Sequence, residues 1–513
     1  MVRVTEGAVT SSFFKIRGQM SKWHYPHPRL TPEHCEILRN VNLSERGTAL
    51  SRYGVAKYSQ SSLAGGEIAV GLWQGKFANG TIRTVIVTPT AIYNDDGTTR
   101  STITGTALTG GNDDRVRFVF LKDQLIIQQP VDEPRVWNGN TGVNTSDLAT
   151  VPWTKVDDMF AHKNLLVALA PTESGTKFPT RARWCDINRS TYVVDINSWP
   201  STNRYEIYDG GAPIVGGVDA WGKAMIFKED GLYPGEIHYD VLGHYDFRLE
   251  RPLRGFSPVS RMSLVSRPEF IFGAATEGLF VIQPDMSLNI VNNDDITEWL
   301  GLNQGRLQHS QAFVREKEHQ VRLICSSDGN TASHDRTLVW DWDTGDVWLD
   351  DPTVKMNYGA SIFVSNEELD FIGGTDSYLY QGNRTSYEDD DGTGFPWRIK
   401  MAPNDLGIPG KSKHILNIRT FHRYRKGSAN VSLKLHFDEG RSSTENVTLD
   451  MSSAYKWEAG TPKWDSGTKW LGEGARVSDF FCNRMCETIA PEWTGNNPAS
   501  VEGYQVEYIL LDA

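Results

Sequence analysis

The chain has 513 residues, of which 39% are hydrophobic and 23% charged, the balance of a globular protein with a large core or several domains. Its formal net charge of −12 argues against a general nucleic-acid coat, because phosphate binding requires clustered cations. The five cysteines are scattered along the chain, so they form no disulfide framework and favour reduced thiols made in a cytosol.

The N-terminal part of the chain carries no visible targeting segment. Residues 1–18 lack the apolar stretch of a secretory signal, and no apolar run in the chain approaches the roughly 20 residues that span a bilayer. We therefore expect no membrane partner. Because residues 1 to about 30 are polar, proline-bearing and aperiodic, we predict an extended arm with a first strand over residues 1–60.

Seven segments between Gly66 and Gly382 share one pattern, in which short apolar strands are paired around a Gly, Asp or Asn turn. They begin near Gly66, Arg115, Asp158, Gly216, Pro268, Ala312 and Tyr358. Their mean spacing of about 49 residues is close to the length of a propeller blade. A blade cannot bury both faces alone, so a closed ring of blades is a natural solution. The sequence therefore predicts an all-β fold with a β-propeller of about six to seven blades over residues 61–400. An irregular set of β-sandwiches is the alternative.

Three of these segments contain a similar short apolar run, which we predict to be the same inner strand in successive blades. The runs are Lys163 to Leu166, Gly222 to Met225 and Glu269 to Phe272. The similarity is one of pattern rather than of residue identity, so it supports equivalent positions in the fold.

The most strongly patterned stretch, from Arg336 to Asp350, predicts a β-hairpin with its turn at Asp343 to Asp346. Side chains alternate along a strand, so Leu338, Trp340 and Trp342 would share one face. Such a face cannot stay in water, and it predicts a second sheet packed against the hairpin. The residues expected to build this structural hairpin are Trp340, Trp342, Asp343, Gly345 and Trp348.

The turn of this hairpin matches part of a known motif. Asp343, Gly345 and Trp348 have the D-x-G-x-x-W spacing that ends the Asp-box hairpins of sialidase-like propellers. Asp341 stands where the motif has a serine, and the chain has a single copy. The Asp box is a structural turn, so the match supports a propeller hairpin and carries no catalytic implication.

An acidic, glycine-ended stretch from Tyr387 to Gly394 predicts a domain boundary there or just after it. Its three consecutive aspartates, Asp389 to Asp391, resemble a calcium loop only superficially, because such loops space their ligands at alternate positions. We therefore expect a solvated acidic turn at this point.

The C-terminal region, residues 401–513, contains further strand-like runs and predicts a β-sandwich-like platform domain. Trp457, Trp464 and Trp470 each follow a lysine at near-even intervals in this region. Exposed tryptophans with neighbouring lysines suit an interface, so we predict a possible interface here. Strand ends folded onto a small β-sandwich explain the same pattern equally well.

Motifs of catalysis are absent from the sequence. It contains no G-x-S-x-G elbow, no H-E-x-x-H, no Walker loop and no Rossmann glycine pattern behind a strand. Cys482 and Cys486 have neither a second cysteine pair nor a histidine cluster nearby, so they predict no metal site. We expect no catalytic, cofactor-binding or metal-binding residue and no enzymatic activity. A spatial pair of carboxylates for glycoside hydrolysis stays open, because such pairs are not sequential.

Four parts of the sequence, taken in order, resemble the tail nozzle or tail-stabilisation (hub) proteins of short-tailed bacteriophages. They are the Asn40-Val41-Asn42-Leu43 strip with Gly47, Leu50, Arg52 and Gly54, the seven-fold hairpin pattern, the Leu338 to Trp348 hairpin, and Phe371 to Tyr380 followed by Asp391-Gly392 and Trp397 to Ile399. The resemblance covers about residues 32 to 400. Each motif is loose, and the order of all four is the specific part.

The resemblance implies a structural virion component, made in the host cytoplasm and located in the phage tail. The subunit would form a homo-oligomeric ring, six copies by resemblance, below the portal-adaptor ring. The ring would extend the channel for double-stranded DNA, retain the genome before ejection, and anchor tail fibre or spike proteins for attachment to the host. An acidic lumen would let DNA pass without specific binding.

Two other functions remain compatible with a propeller. One is a tail-associated propeller that binds or cleaves glycans. The other is a non-viral propeller that acts as an interaction scaffold.

Overall fold

The computed structural model describes residues 9–16, 35–43, 48–59, 61–188, 193–239, 245–291, 302–364, 366–382, 389–423, 430–438, 446–450, 476–496 and 499–511. These residues are almost entirely in strands and turns, with short 3-10 helices at Ala64–Gly66, Arg261–Ser263 and Gln304–His309. No helix among them has the length and apolar character that a bilayer crossing requires.

The chain folds into two compact units. The central unit contains residues 57–337 and 354–382. The terminal unit contains residues 1–56, 338–353 and 383–513. Two strands, Val55–Lys57 and Arg336–Asp341, begin in one unit and end in the other.

The described part of the central unit contains seven antiparallel sheets in chain order. The first sheet contains Gly71–Lys76, Ile82–Val87, Ile92–Asp95 and Arg100–Thr102. The second contains Arg117–Leu121, Gln124–Gln128, Arg135–Trp137 and Ser146–Asp147. The third contains Asp158–His162, Leu165–Leu169, Arg181–Trp184 and Arg204–Glu206. The fourth contains Ile214–Ala220, Lys223–Lys228, Gly231–Tyr239, Tyr245–Leu249 and Leu253–Arg254. The fifth contains Val265–Ser266, Ile271–Ala275, Gly278–Ile282 and Leu288–Val291. Within this unit, the sixth sheet contains Gln311–Arg315 and Gln320–Cys325. The seventh contains Met356–Val364, Glu367–Gly374 and Leu379–Gly382. Two small hairpins interrupt the third sheet, Thr172–Glu173 with Thr176–Lys177 and Asp186–Asn188 with Val193–Asp195.

The seven sheets form a closed ring. From the second sheet to the seventh, the first strand of each sheet lies beside the first strand of the next, and the first strand of the seventh lies beside that of the first. The backbone N–H of Val116, which leads into the second sheet, donates to the carbonyl of Val70 at 2.9 Å. The ring closes where the side-chain amide of Asn357 in the seventh sheet donates to the carbonyl of Ala69, 2.8 Å away. The central unit is therefore a β-propeller, and each sheet is one blade.

The sheets stack through apolar side chains that fill the space between neighbouring blades. Between the fourth and fifth blades, the ring centroids of Phe227 and Phe280 are 5.7 Å apart, and Phe256 packs on Phe280 at 4.8 Å. Every residue of Leu165–Leu169 is buried because both faces of its sheet are covered. Each such Leu, Ile or Phe stabilises the fold by about 1.5–3 kcal/mol through removal from water.

The three predicted inner strands occupy equivalent positions in their blades. They correspond to Leu165–Leu169, Lys223–Lys228 and Ile271–Ala275, each the second strand of its sheet. The contacts between blades are made by the preceding strand, so the true inner strand lies one position earlier. A continuous apolar run indicates a strand that is buried on both faces. The second strand of each of these sheets already meets that condition, so the apolar run does not distinguish it from the first.

The terminal unit contains two larger sheets among its described residues. One sheet has the strand order Val41–Leu43, Ala49–Ser51, Ser500–Leu510, Lys413–Arg423 and Arg476–Cys486, with Thr10–Lys15 also paired to Ser500–Leu510. The other sheet has, within this unit, the order Val347–Asp350, Cys35–Arg39, Trp397–Met401, Ile489–Gly495, Asn430–Phe437 and Asn446–Asp450.

These units divide the chain differently from the three segments expected from the sequence. Cys35–Arg39 lies between a strand of the hairpin, Val347–Asp350, and Trp397–Met401. Residues expected as a separate N-terminal arm are thus interior strands of sheets built mainly from the C-terminal region. Strand pairing over such distances leaves no local signal in the sequence.

Candidate functional site

Asn40 is the point at which three distant parts of the chain meet in the terminal unit. Its backbone has φ +54°, a left-handed conformation that asparagine adopts more readily than most residues, and it is only 2% exposed. Its N–H donates to the carbonyl of Leu349 at 2.8 Å, and its side-chain amide donates to the carbonyl of Pro396 at 2.6 Å. Asn40 thus ties the end of the hairpin to the segment before Trp397.

The carbonyl oxygen of the Asn40 side chain accepts two further hydrogen bonds. Arg52 Nε donates to it at 2.9 Å, and the backbone N–H of Asp351 donates to it at 2.7 Å. The N–H of Arg52 also donates to the Asn40 carbonyl at 2.9 Å. These bonds fix the Arg52 side chain in one orientation.

Arg52 forms a buried, two-pronged ion pair with Asp390. Nη1 and Nη2 donate to the two carboxylate oxygens at 2.8 and 2.5 Å, and the two side chains are 5% and 0% exposed. The backbone N–H and hydroxyl of Thr353 donate to the same carboxylate at 2.8 and 3.1 Å. The guanidinium carbon lies 3.8 Å from the ring centroid of Phe395. Paired charges with satisfied hydrogen bonds are the form in which ions tolerate burial.

Gly54 brings the backbone of the first segment directly against that of the acidic stretch. A Cβ at Gly54 would lie 1.8 Å from the carbonyl oxygen of Asp389, so only glycine fits. Next to it, Val55 N–H donates to the Asp389 carbonyl at 3.1 Å, and Asp391 N–H donates to the Val55 carbonyl at 2.7 Å. We call Asn40, Arg52, Gly54, Thr353 and Asp390 the Asp390 cluster.

The acidic stretch was expected to be a solvated turn, and for Asp390 that expectation is wrong. Its neighbour Asp389 is exposed, whereas Asp390 is fully buried on Arg52. Three adjacent aspartates look like a surface run in the sequence because the compensating arginine is 338 positions away.

The structure places all five predicted hairpin residues in the terminal unit. Trp340 and Trp348 are buried and Trp342 is half-buried, while Asp343 and Gly345 are exposed at the turn. The first strand ends at Asp341, one residue earlier than expected.

Asp341 closes the hairpin turn. Its carboxylate accepts the N–H groups of Asp343 and Thr344, both at 3.0 Å. Gly345 has φ +76° and its N–H donates to the Asp341 carbonyl at 2.9 Å. The carboxylate that organises this turn therefore belongs to Asp341, the position at which the Asp-box motif has a serine.

The remaining sequence candidates are three tryptophans and two cysteines of the C-terminal region. Trp457, Trp464 and Trp470 lie outside the described residues. Cys482 and Cys486 are buried and form no disulfide, and burial raises the pKa of Cys486 to about 12. Among the residues that the structure describes, no three His, Cys, Asp or Glu side chains are grouped to hold a metal ion.

The sequence pointed to most members of the Asp390 cluster but not to their association. Asn40, Arg52 and Gly54 belong to the first resemblance motif, and Asp390 lies beside the Asp391-Gly392 pair of the last one. Thr353 carried no signal. The arrangement can hold three chain segments in one fixed geometry, and its charges and carboxylate oxygens are occupied in doing so.

Comparisons with known proteins add little to this description of the site. No family model matches the chain, and no curated protein matches it. Among solved structures, the WD40 domain of Neurospora crassa Pan2 is similar, with 10% identity, a TM-score of 0.40, and coverage of 67% of this chain and 97% of that chain. By its own sheet topology, the chain is an all-β protein that combines a β-propeller with an additional β-rich unit.

Proposed function

We propose that this chain is a structural subunit of a bacteriophage tail, in the nozzle or hub ring below the portal-adaptor ring. In this role it extends the DNA channel, retains the genome until ejection and anchors fibres or spikes. Its work is mechanical rather than catalytic.

The observation that carries the proposal is that the first resemblance motif contacts residues directly adjoining the third and fourth motifs, at and beside the Asp390 cluster. The first motif supplies Asn40, Arg52 and Gly54, and the hairpin motif ends one residue before Leu349, which accepts from Asn40. Asp390 directly precedes Asp391-Gly392, and Pro396 directly precedes Trp397, in the last motif. Loose motifs that are far apart in the chain gain weight when the fold brings the first of them against residues adjoining the others.

A rigid framework suits a subunit that must keep its shape under load. The propeller supplies a closed body without free sheet edges at its centre, and the Asp390 cluster ties three chain segments together within the terminal unit. Ring assembly needs large, stable lateral faces rather than a reactive pocket.

The net charge of −12 suits a channel for DNA. Acidic side chains facing the lumen would repel phosphates, so that DNA slides instead of binding. A lumen rich in lysine and arginine would contradict this part of the proposal.

Cryo-electron microscopy of the purified protein, alone and with the portal-adaptor ring, tests the proposal directly. We expect a closed ring with a continuous axial channel, six-fold if the resemblance holds. A protein that stays monomeric under both conditions would contradict it. Release of reducing sugar from host polysaccharide by the purified protein would instead favour a glycan-cleaving propeller.

A further inference from the structure

The six-stranded sheet of the terminal unit has one face that is open to solvent and rich in apolar side chains. Lys413–Arg423 and Ser500–Leu510 lie at its middle, Arg476–Cys486 pairs with the first of them, and Thr10–Lys15 pairs with the second. On the opposite face, Tyr504 is fully buried in the core of the unit. We call the open side of these four strands the outer sheet face.

Cross-strand contacts show which side chains share the outer sheet face. Arg419 Nε donates to Asp479 at 2.5 Å, and its Nη1 donates to Gln505 Oε1 at 3.3 Å. Gln505 Nε2 in turn donates to the hydroxyl of Ser11. These residues form one row across all four strands, and by strand alternation the residues two positions away point the same way.

Apolar side chains flank this row. Phe13, two residues after Ser11, packs on Phe421 with the ring centroids 5.3 Å apart. Phe481 follows Asp479 by two residues in the outermost strand. The strongly exposed large hydrophobic side chains in the described part of the terminal unit are all on or beside this face, namely Val9 (58% exposed), Phe13 (48%), Phe481 (78%) and Met485 (70%). Single exposed apolar side chains are ordinary, but four on one face indicate a surface that a partner covers.

The outer sheet face is electrically neutral among its described side chains, although the chain as a whole carries a charge of −12. Arg419 lies 2.5 Å from Asp479 and 3.6 Å from Glu507, and Lys15 supplies a second positive charge. Two copies of an acidic chain repel each other, and the repulsion is smallest where neutral faces meet. The charge pattern therefore favours a second copy of this chain over a strongly charged partner such as DNA.

The size of the outer sheet face matches one side of a stable protein interface. Four strands spaced by about 4.8 Å, with a rise of about 3.3 Å per residue, give a flat area of about 600 Å². Projecting side chains make the accessible surface larger than this flat area. A stable interface buries about 800 Å² on each partner, so this face provides most of what such a contact needs.

We propose that the outer sheet face is a contact surface between copies of this chain, occupied by a second copy. The inference rests on the proposed ring and deepens it, because a head-to-tail ring requires each subunit to present two different lateral faces. The outer sheet face is one of them. Phe481 and Met485 at one margin, and Val9 and Phe13 at the other, are removed from water when the second copy binds. The ion pair of Arg419 stays satisfied within each copy.

Phe481→Asp is the direct test, with Tyr208→Asp as its matched control. Phe481 is 78% exposed, so this change leaves the fold intact but places a charge in the contact. Tyr208 is 76% exposed and lies in the propeller. We expect Phe481→Asp to weaken self-association at least tenfold and Tyr208→Asp to leave it unchanged. Light scattering after size-exclusion chromatography, over a range of protein concentrations, measures the association. Equal weakening by the two variants would overturn the proposal.

The outcomes separate this interface from the ring itself. A closed wild-type ring that Phe481→Asp leaves intact would overturn the interface and not the ring. Wild-type dimers or open chains that Phe481→Asp dissociates would support the interface and contradict the ring. A wild-type protein that stays monomeric at every concentration would overturn both.

Photo-cross-linking identifies the occupant directly. p-Benzoylphenylalanine in place of Phe481 keeps an aromatic side chain at this position and forms a covalent bond with whatever lies against it. In the purified protein, we expect illumination to give a species of twice the chain mass, and the same group in place of Tyr208 to give none. Cross-links from position 481 only to other proteins of a cell lysate, with no doubled chain, would overturn the proposal.

Discussion

At the scale of single residues, the Asp390 cluster shows how a buried charge depends on a distant partner. Arg52 and Asp390 are each excluded from water, so either one left alone would be a buried ion without compensation. Removing one partner of such a pair is usually far more costly than removing one partner of an exposed pair.

We expect Asp390→Asn to lower the free energy of unfolding by about 3–5 kcal/mol, because Arg52 would keep its charge without a counterion. Urea unfolding, followed by tryptophan fluorescence, measures the change. Asp479→Asn is the matched control, because Asp479 pairs with Arg419 at 2.5 Å on the surface of the same unit. Its effect should stay below about 1 kcal/mol. Equal losses in the two variants would contradict a special role for the buried pair.

The single residues also show the limit of sequence reasoning about the site. Gly54 and Arg52 were recognisable as parts of a motif, but their roles follow from Asp389 and Asp390, more than 330 positions later. A single sequence shows which residues are able to form an ion pair or a close backbone contact, but it does not show which residue is the partner.

At the scale of elements, the strand Ile489–Gly495 joins two neighbours through one carboxylate. It pairs with Trp397–Met401 on one side and with Asn430–Phe437 on the other. Glu492 accepts from Arg398 Nε and from His436 Nε2, each at 2.6 Å. Burial alone would raise the pKa of Glu492, but these two hydrogen bonds outweigh it and lower the pKa to about 2.

This lowered pKa predicts a specific acid sensitivity of the sheet. The carboxylate of Glu492 contributes stability above its unfolded pKa of 4.5, and the contribution is lost as the pH falls from about 4.5 to about 2. We expect Glu492→Gln to reduce stability at pH 7 and to flatten the loss of stability over this range.

Unfolding midpoints measured at several pH values between 2 and 7 would test this expectation. Thr494→Val, on the same strand, is a control without a titratable group and should keep the wild-type pH dependence. An unchanged acid limb in Glu492→Gln would show that other groups dominate it.

The hairpin illustrates what an element's own pattern can and cannot specify. Its strands and turn were predictable from alternation and turn residues, and the structure has them at Arg336–Asp341 and Val347–Asp350. The neighbour of its second strand, Cys35–Arg39, comes from the beginning of the chain. An apolar face must pack against another apolar surface, but its own sequence does not specify which part of the chain supplies that surface.

At the scale of the whole molecule, the terminal unit is assembled from three separate pieces of the chain. Residues 1–56 supply strands in the interior of both of its sheets, including Cys35–Arg39 and Ala49–Ser51. Removing an interior strand leaves a row of unpaired backbone N–H and C=O groups on each of the two strands beside it. The terminal unit therefore depends on these interior strands.

We expect a chain that begins at residue 57 to lose the protection of its C-terminal region. Limited proteolysis should cleave within residues 389–511 much faster than in the full chain, because two interior strands are missing. A chain that begins at residue 35 is the control, since it lacks Thr10–Lys15 but retains both interior strands. Equal protection of the two shortened chains would contradict the observed strand order.

The sequence by itself determined the β class, the approximate number of blades and the positions of most of their strands. These features depend on local alternation, apolar runs and turn residues, which recur at near-regular intervals between Gly66 and Gly382. Short-range chemistry is enough to define a blade, because each blade is made from consecutive strands.

Only the tertiary structure decided which segments share a unit, where the ring closes and which charges are buried together. The pairing of Arg52 with Asp390 and of Cys35–Arg39 with Trp397–Met401 joins residues from opposite ends of the chain. Such contacts depend on complementary shape and charge in three dimensions, and neither residue carries a local sign of the other.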